Sequence, residues 1–300
     1  AVQSSYTAFF VQDEWRITRR LMLTLGLRHE YFGPVSERFN RTVRGYDFNT
    51  VNPIHAAAAA NYARNPIPEI PVGSFRSYGG LLFAGEGGQP RGLWDSAYRN
   101  FAPRIGLAWQ AGKATSIRSG YGVFYFPRGA DRNSVIQTGF SRATSLVASE
   151  DNGRTFIASL SNPFPRGPLP PLGAAGGLST NVGNSVSFFN PSLRFGYAQR
   201  WSLSVQRELP GRVVADVAYV GNRSTRLSVN REWDPVPAQY LSRSPERDQR
   251  TIDFLSARVA NPYYPLLPGT GLSAQTVARS QLLRPFPHFT GVTGNEPVGY

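Results

Sequence analysis

The chain has 300 residues, enough for one large domain or two ordinary ones, and its 41% hydrophobic content excludes wholesale disorder. It has no cysteine, which rules out disulfide scaffolds, thiol catalysis and cysteine-ligated zinc. The formal net charge is +13, carried by arginines in no run of four or more, with Lys113 the sole lysine, so the basic balance suits lipid or lipopolysaccharide phosphates as well as nucleic acid.

Taken in chain order, one pattern occurs three times: a strand, a very short turn, a second strand, then a long connection rich in Gly, Pro and Asn. The first pair is expected over 6–17 and 21–31, joined at Thr18-Arg19-Arg20. Leu21, Leu23, Leu25 and Leu27 alternate with Met22, Thr24, Gly26 and Arg28, the period of a strand with one apolar face. In the partner strand Phe9, Val11, Trp15 and Ile17 share one parity, and Gln12, Glu14 and Arg16 the other.

The second pair is expected over 101–110 and 115–126. Ile105, Leu107 and Trp109 alternate with Arg104, Gly106 and Ala108; Ile117, Tyr121, Val123 and Tyr125 alternate with Arg118, Gly120, Gly122 and Phe124. The third pair is expected over 197–209 and 212–221, joined at Pro210-Gly211. Trp201, Leu203 and Val205 alternate with Arg200, Ser202, Ser204 and Gln206. In its second strand Val213, Ala215, Val217 and Tyr219 face away from Val214, Asp216, Ala218 and Val220, a face only half polar.

The connections, roughly 32–100, 127–196 and 222–299, read as structureless, apart from a short helix expected at Ala56–Ala60. The Pro-rich segments 163–171 and 262–268 are unsuited to central strands. Loops of that length are improbable inside a compact soluble domain but ordinary on the outer side of a membrane barrel.

Alternation has two readings. In a soluble sandwich the apolar face packs on a core; in a membrane barrel it meets lipid, and the polar face lines the lumen. Two features favour the barrel: the strict alternation of short and long connections, and Trp15, Trp109 and Trp201 placed on the apolar parity near the short turns, with Tyr31, Tyr125 and Tyr219 toward the opposite ends. The expected fold class is therefore all-β: an antiparallel transmembrane β-barrel, partial, with about six strands in three hairpins and long extracellular loops. Lipid demands a closed sheet, and about 8 strands is the usual minimum. With a start at Ala1 that lacks an initiator Met and signal peptide, and an end at Gly299-Tyr300 without a clear final strand, the expectation is an internal piece of a larger barrel spanning residues 1–300.

Several stretches resemble a known family. Gln12-Asp13-Glu14-Trp15 followed by Leu23-Thr24-Leu25-Gly26-Leu27-Arg28 is similar to the strand–turn–strand signature of TonB-dependent receptor barrels. Asn100-Phe101-Ala102-Pro103-Arg104-Ile105-Gly106, Ile117 to Tyr125, Trp201 to Leu209 and Val217-Ala218-Tyr219-Val220-Gly221 resemble the Oar-like branch of that family. The resemblance runs through all six strands in order and touches the loops only in patches such as Arg91 to Trp94 and Arg284 to Pro287. It implies a barrel of roughly 22 strands in the outer membrane of a Gram-negative bacterium, an N-terminal plug and energy from a TonB complex. Plug and TonB-contacting segment lie N-terminal in the family and are absent from these 300 residues.

No chemistry of an enzyme is evident. His29, His55 and His288 form no metal pattern, no Gly-x-Ser-x-Gly elbow occurs, and the glycines of Gly120-Tyr121-Gly122 lead into no phosphate-cradling helix. No catalytic residue, metal or cofactor is expected. The polar candidates are structural: Glu14, Arg16, Arg28, Arg104, Arg118, Arg200 and Asp216 are expected to face the lumen, the carboxylates of Glu14, Glu30, Glu208 and Asp216 pairing with the arginines. Expected function is uptake of a ligand captured from outside; siderophore, carbohydrate, peptide and secreted protein all fit. The alternative is a surface, adhesion or structural barrel without active transport. Expected partners are the TonB complex, outer-membrane lipid and lipopolysaccharide, and an extracellular ligand, with no nucleic acid.

Overall fold

The computed structural model describes residues 1–126, 135–144, 146–149, 151, 153–192 and 194–297; Gly299-Tyr300 lies outside them. Six long strands dominate: β1 (Tyr6–Thr18), β2 (Leu21–Phe32), β3 (Ala97–Gln110), β4 (Thr115–Tyr125), β5 (Tyr197–Leu209) and β6 (Val213–Thr225). They match the expected strands closely, because period-2 alternation over ten or more residues leaves few other ways to bury one face. Every sheet neighbour is also a chain neighbour, so the sheet is an antiparallel meander with β1 and β6 at its edges. It is open among the described residues, as expected of part of a barrel.

Directly paired residues share a face, and the register is continuous across the sheet. Leu25 lies opposite Ile105, Ile105 opposite Tyr121, Tyr121 opposite Trp201 and Trp201 opposite Gly221. Away from two irregularities near strand ends, the odd positions therefore lie on one face. That face exposes Phe9, Val11, Ile105, Leu203 and Val217, a surface too apolar for water but suited to hydrocarbon. Irregularities interrupt the register between Arg16 and Thr18 and between Glu30 and Phe32, both near strand ends.

Two placements differ from the sequence reading. Trp15 and Trp109 do stand near the short turns, but Trp201 sits opposite Tyr121 and Gly221, in the half of β5 far from Pro210-Gly211. Tyr219 pairs with Leu203, midway along its strand. Parity fixes the face of a residue but says nothing about its height. The aromatic belt at the long-connection end is instead formed by Tyr31 stacked on Tyr98, His29 against Phe101 and Tyr125 against Tyr197, with ring centroids at 5.1, 4.8 and 5.6 Å.

The larger correction concerns the connections, which are not structureless. Strands Val43–Val51 and Tyr78–Phe83 pair in the first. Strands Ser185–Phe189, Ser228–Glu232 and Gly291–Pro297 form a sheet that joins the second connection to the third, with a parallel pairing between Ser185–Phe189 and Gly291–Pro297. The expected helix is present as α1 (His55–Tyr62), and α2 (Gln249–Ser256) and α3 (Arg279–Leu282) join it.

One core draws Val43, Tyr46, Leu81 and Phe83 from the first connection, Val182, Val186 and Phe188 from the second, and Phe286, Phe289 and Val292 from the third. A second packs Ala58, Tyr62, Ile67 and Phe75 against Tyr263, Leu272, Val277, Leu282 and Leu283. The buried interior of the protein lies mainly in this cap, not in the sheet.

Candidate functional site

The even-numbered face of the sheet is polar, and the register brings all seven charged candidates onto it. Glu14 pairs with Thr24 and Arg16 with Met22. Arg28 lies between Phe10 and Ala102, Arg104 between Gly26 and Gly122, and Arg118 between Ala108 and Ser204. Arg200 lies between Gly122 and Asn222, and Asp216 opposite Gln206. The glycines beside Arg104 leave room for a long side chain to lie along the sheet. Its guanidinium stands over the Phe124 ring, 5.0 Å from the centroid.

Of the expected charge pairs, one is formed. Arg28 Nε donates to Glu30 Oε1 at 2.7 Å, Arg28 Nη2 donates to the Tyr6 hydroxyl at 2.8 Å, and that hydroxyl donates to Glu30 at 3.0 Å. Among the described residues no ion pair joins Glu14, Glu208 or Asp216 to Arg16, Arg104, Arg118 or Arg200. Phe124 shares the parity of Arg118 as the alternation expects, and Tyr6, which the sequence reading assigned to no face, joins them by its even parity.

Above the sheet, the cap holds buried polar groups. Asp234 Oδ1 accepts the Phe286 N–H at 2.7 Å, and Oδ2 lies 3.8 Å from Arg284 Nη1. Burial pushes this carboxyl up to about 7, against the lowering influence of the Phe286 N–H and Arg284. His288 is fully enclosed, with Nε2 3.4 Å from the Gly79 carbonyl, and burial lowers it to about 4. His55 is a half-buried ring whose pKa is lowered by burial and by Arg76. His29 lies at the sheet rim, Nε2 2.7 Å from the Tyr98 carbonyl. No group of three or more His, Asp or Glu able to hold a metal occurs among the described residues.

Two larger hollows adjoin these features. One of about 1180 Å³ lies within the cap, between residues 139–184 and 266–270, with Val147, Ile157, Phe164 and Leu172 beside Arg142. Another of about 750 Å³ lies at the rim of the sheet, under Tyr98, Tyr125 and Tyr197.

A polar sheet face, an apolar opposite face and a folded cap at one end agree with what similarity shows. The family model described as "Outer membrane beta barrel domain" matches residues 1–300. No curated protein matches the chain. Among solved structures, the chain is similar to the alcaligin outer membrane receptor FauA from Bordetella pertussis, at 11% identity and a TM-score of 0.32, over 79% of this chain and 23% of that one. It is also similar to a mutant of the ferric enterobactin receptor PfeA from Pseudomonas aeruginosa, at 13% identity and a TM-score of 0.32, over 99% of this chain and 31% of that one. The chain thus spans less than a third of the length of either receptor.

Proposed function

The chain belongs to the outer membrane beta barrel domain family and resides in the outer membrane; on that premise we propose that it forms part of the barrel wall and outer cap of a TonB-dependent receptor of the Oar-like branch, which takes up a ligand from outside. The observation that carries this reading is the register shared by the six strands, irregular only near strand ends. It sets Glu14, Arg16, Arg28, Arg104, Arg118, Arg200 and Asp216 on one face and the apolar run of Phe9, Val11, Ile105, Leu203 and Val217 on the other. The ordered motifs from Gln12-Asp13-Glu14-Trp15 through Val217 to Gly221 support the choice of family.

In this reading the charged face lines the lumen, where unpaired arginines would hold a plug or a water path. The cap captures the ligand, and a plug outside these 300 residues moves when the TonB complex pulls on it. Transport moves a molecule without remaking its bonds, so no residue here is assigned a catalytic role.

These 300 residues carry no cysteine, so the orientation is testable in full-length protein cleared of any cysteine elsewhere. Single cysteines placed at Glu14, Arg118 and Asp216 in the full-length protein should react with a membrane-impermeant thiol reagent, and cysteines at Leu23, Leu107 and Val217 should not. Equal reactivity of both sets would overturn the lumen assignment. Uptake is tested separately, by nutrient-dependent growth with and without TonB. The size and order of the cap favour one other reading, a surface or adhesion barrel; binding to cells or matrix that persists without TonB would establish it instead.

A further inference from the structure

The rim hollow lies on the wrong face for a transported ligand. Most of its strand residues, Phe101, Pro103, Tyr121, Val123, Tyr125, Tyr197 and Gln199, are odd-numbered and lie on the apolar side of the sheet, and the irregularity opposite Tyr31 brings Tyr98 to the same side, stacked on Tyr31. Yet its upper edge is basic, carrying Arg99, Arg194 and Arg226. Asp95 is the acid on that edge, and its carboxylate is already engaged by Arg44 Nη2 at 2.6 Å. Arg226 is held with its guanidinium over the Tyr197 ring, 5.4 Å from the centroid. Arg99 and Arg194 are exposed and have no acidic partner among the described residues. Arg223, opposite Gln199, adds a further positive charge to the same face one strand away.

An unpaired set of arginines at the boundary of an apolar surface is arranged for an amphiphilic anion. Guanidinium groups bind phosphate oxygens in a bidentate fork, and aromatic rings at this height suit the interface between headgroups and chains. Below the hollow the same face continues as Ile105, Leu107, Leu203 and Leu25, a track for hydrocarbon. A soluble anion would have no use for that track. The hollow's position at the long-connection end places it in the outer leaflet, because long loops of such barrels are extracellular.

The geometry points to a lipid-binding site: Arg99, Arg194 and Arg226 clamp the phosphates of an outer-leaflet phosphoglycolipid whose acyl chains lie over Tyr121, Val123 and Leu203. The inference rests on the odd face meeting lipid, but not on transport. The bound lipid would seal the cap to the membrane and fix the height of the barrel.

The test uses full-length protein, refolded in detergent free of native lipid, with lipid A bearing both phosphates as the probe and native mass spectrometry as the readout. Expected is one lipid A retained per barrel, and at least a ten-fold loss of retention when the phosphates are removed. R99E/R194E should lose it likewise, R99K/R194K should keep most of it, and R118E, the same charge change on the other face, should be unaffected. Heat-modifiable mobility checks that each variant is folded. Retention indifferent to phosphate, or lost equally in R118E, overturns the clamp. A spin-labelled lipid that fails to quench a fluorophore on a cysteine at Leu107 overturns the orientation beneath it, and the proposal with it. Nutrient uptake has no bearing on either arm.

Discussion

At the scale of single residues, the cap contains two buried titratable groups whose pH dependences oppose each other. Asp234 titrates near 7 in the folded protein, well above the ~3.9 of a free aspartate, because burial disfavours its charge and Glu232 adds repulsion. The folded state holds the proton more tightly, so Asp234 favours the fold at low pH and loses that contribution as pH rises through about 7. His288 titrates near 4 because burial disfavours the imidazolium, so its contribution is present above ~6.5 and is lost as pH falls toward 4. Over the shared window, from about 4 to 6.5, the two slopes offset one another, and the cap of the unaltered protein should show a shallow stability profile. Asp234→Asn removes one slope and keeps an acceptor for the Phe286 N–H. The cap should then weaken on acidification by up to about 1.4 kcal/mol per pH unit. His288→Gln should produce the reverse slope. Protease susceptibility in graded urea at pH 4.5 and 6.5 reads both; a flat profile in both variants would show that neither group controls the cap.

At the scale of elements, the hairpins depend on their short turns. Between β5 and β6, Gly211 has φ +83° and Arg212 φ +62°, so two successive residues occupy the left-handed region. Glycine meets that demand without cost, whereas a β-branched side chain is strained there by about 1–2 kcal/mol. Gly211→Val should therefore lower the urea midpoint of the heat-modifiable form, and Arg212→Gly should leave it unchanged or raise it slightly; a Gly211→Val protein with an unaltered midpoint would place the turn elsewhere. This level was the most legible in the sequence. Leu21 to Leu27 and Trp201 to Val205 declare their faces by strict alternation, and the Pro210-Gly211 pair marks the turn. What alternation cannot give is the height of a residue along a tilted strand. That is why Trp201 was grouped with Trp15 and Trp109, although register sets it opposite Tyr121 and Gly221. The Arg28–Glu30 pair was equally illegible, since shared parity brings charges to one face without fixing which of them meet.

At the scale of the molecule, the cap was the part least visible in sequence. Its strands are short, and its cores are assembled from segments far apart in the chain, so no local period announces them. Tyr46 meets Phe188 at 5.5 Å and Phe286 at 5.2 Å, uniting three connections that a reading along the chain treats as separate. Gly80 ties the first connection to the second, since a Cβ there would press on the Leu178 backbone at 2.6 Å. The three connections should therefore unfold together and independently of the sheet. Phe289, fully buried in the core they share, is the residue to truncate. Phe289→Ala removes a large buried ring at a cost of about 3–5 kcal/mol. If the cap is one cooperative unit, limited trypsin treatment should open cleavage sites in all three connections at once, at arginines such as Arg76, Arg142 and Arg247. The six paired strands draw little of their stability from the cap core, so the heat-modifiable band should persist. Cleavage confined to the third connection would show three independent loops. Loss of the band would show that sheet and cap fold as one. Only the expected result, an intact wall beneath a collapsed cap, would allow ligand capture to be abolished while membrane insertion is preserved, which separates the binding role assigned to the cap from the anchoring role of the strands.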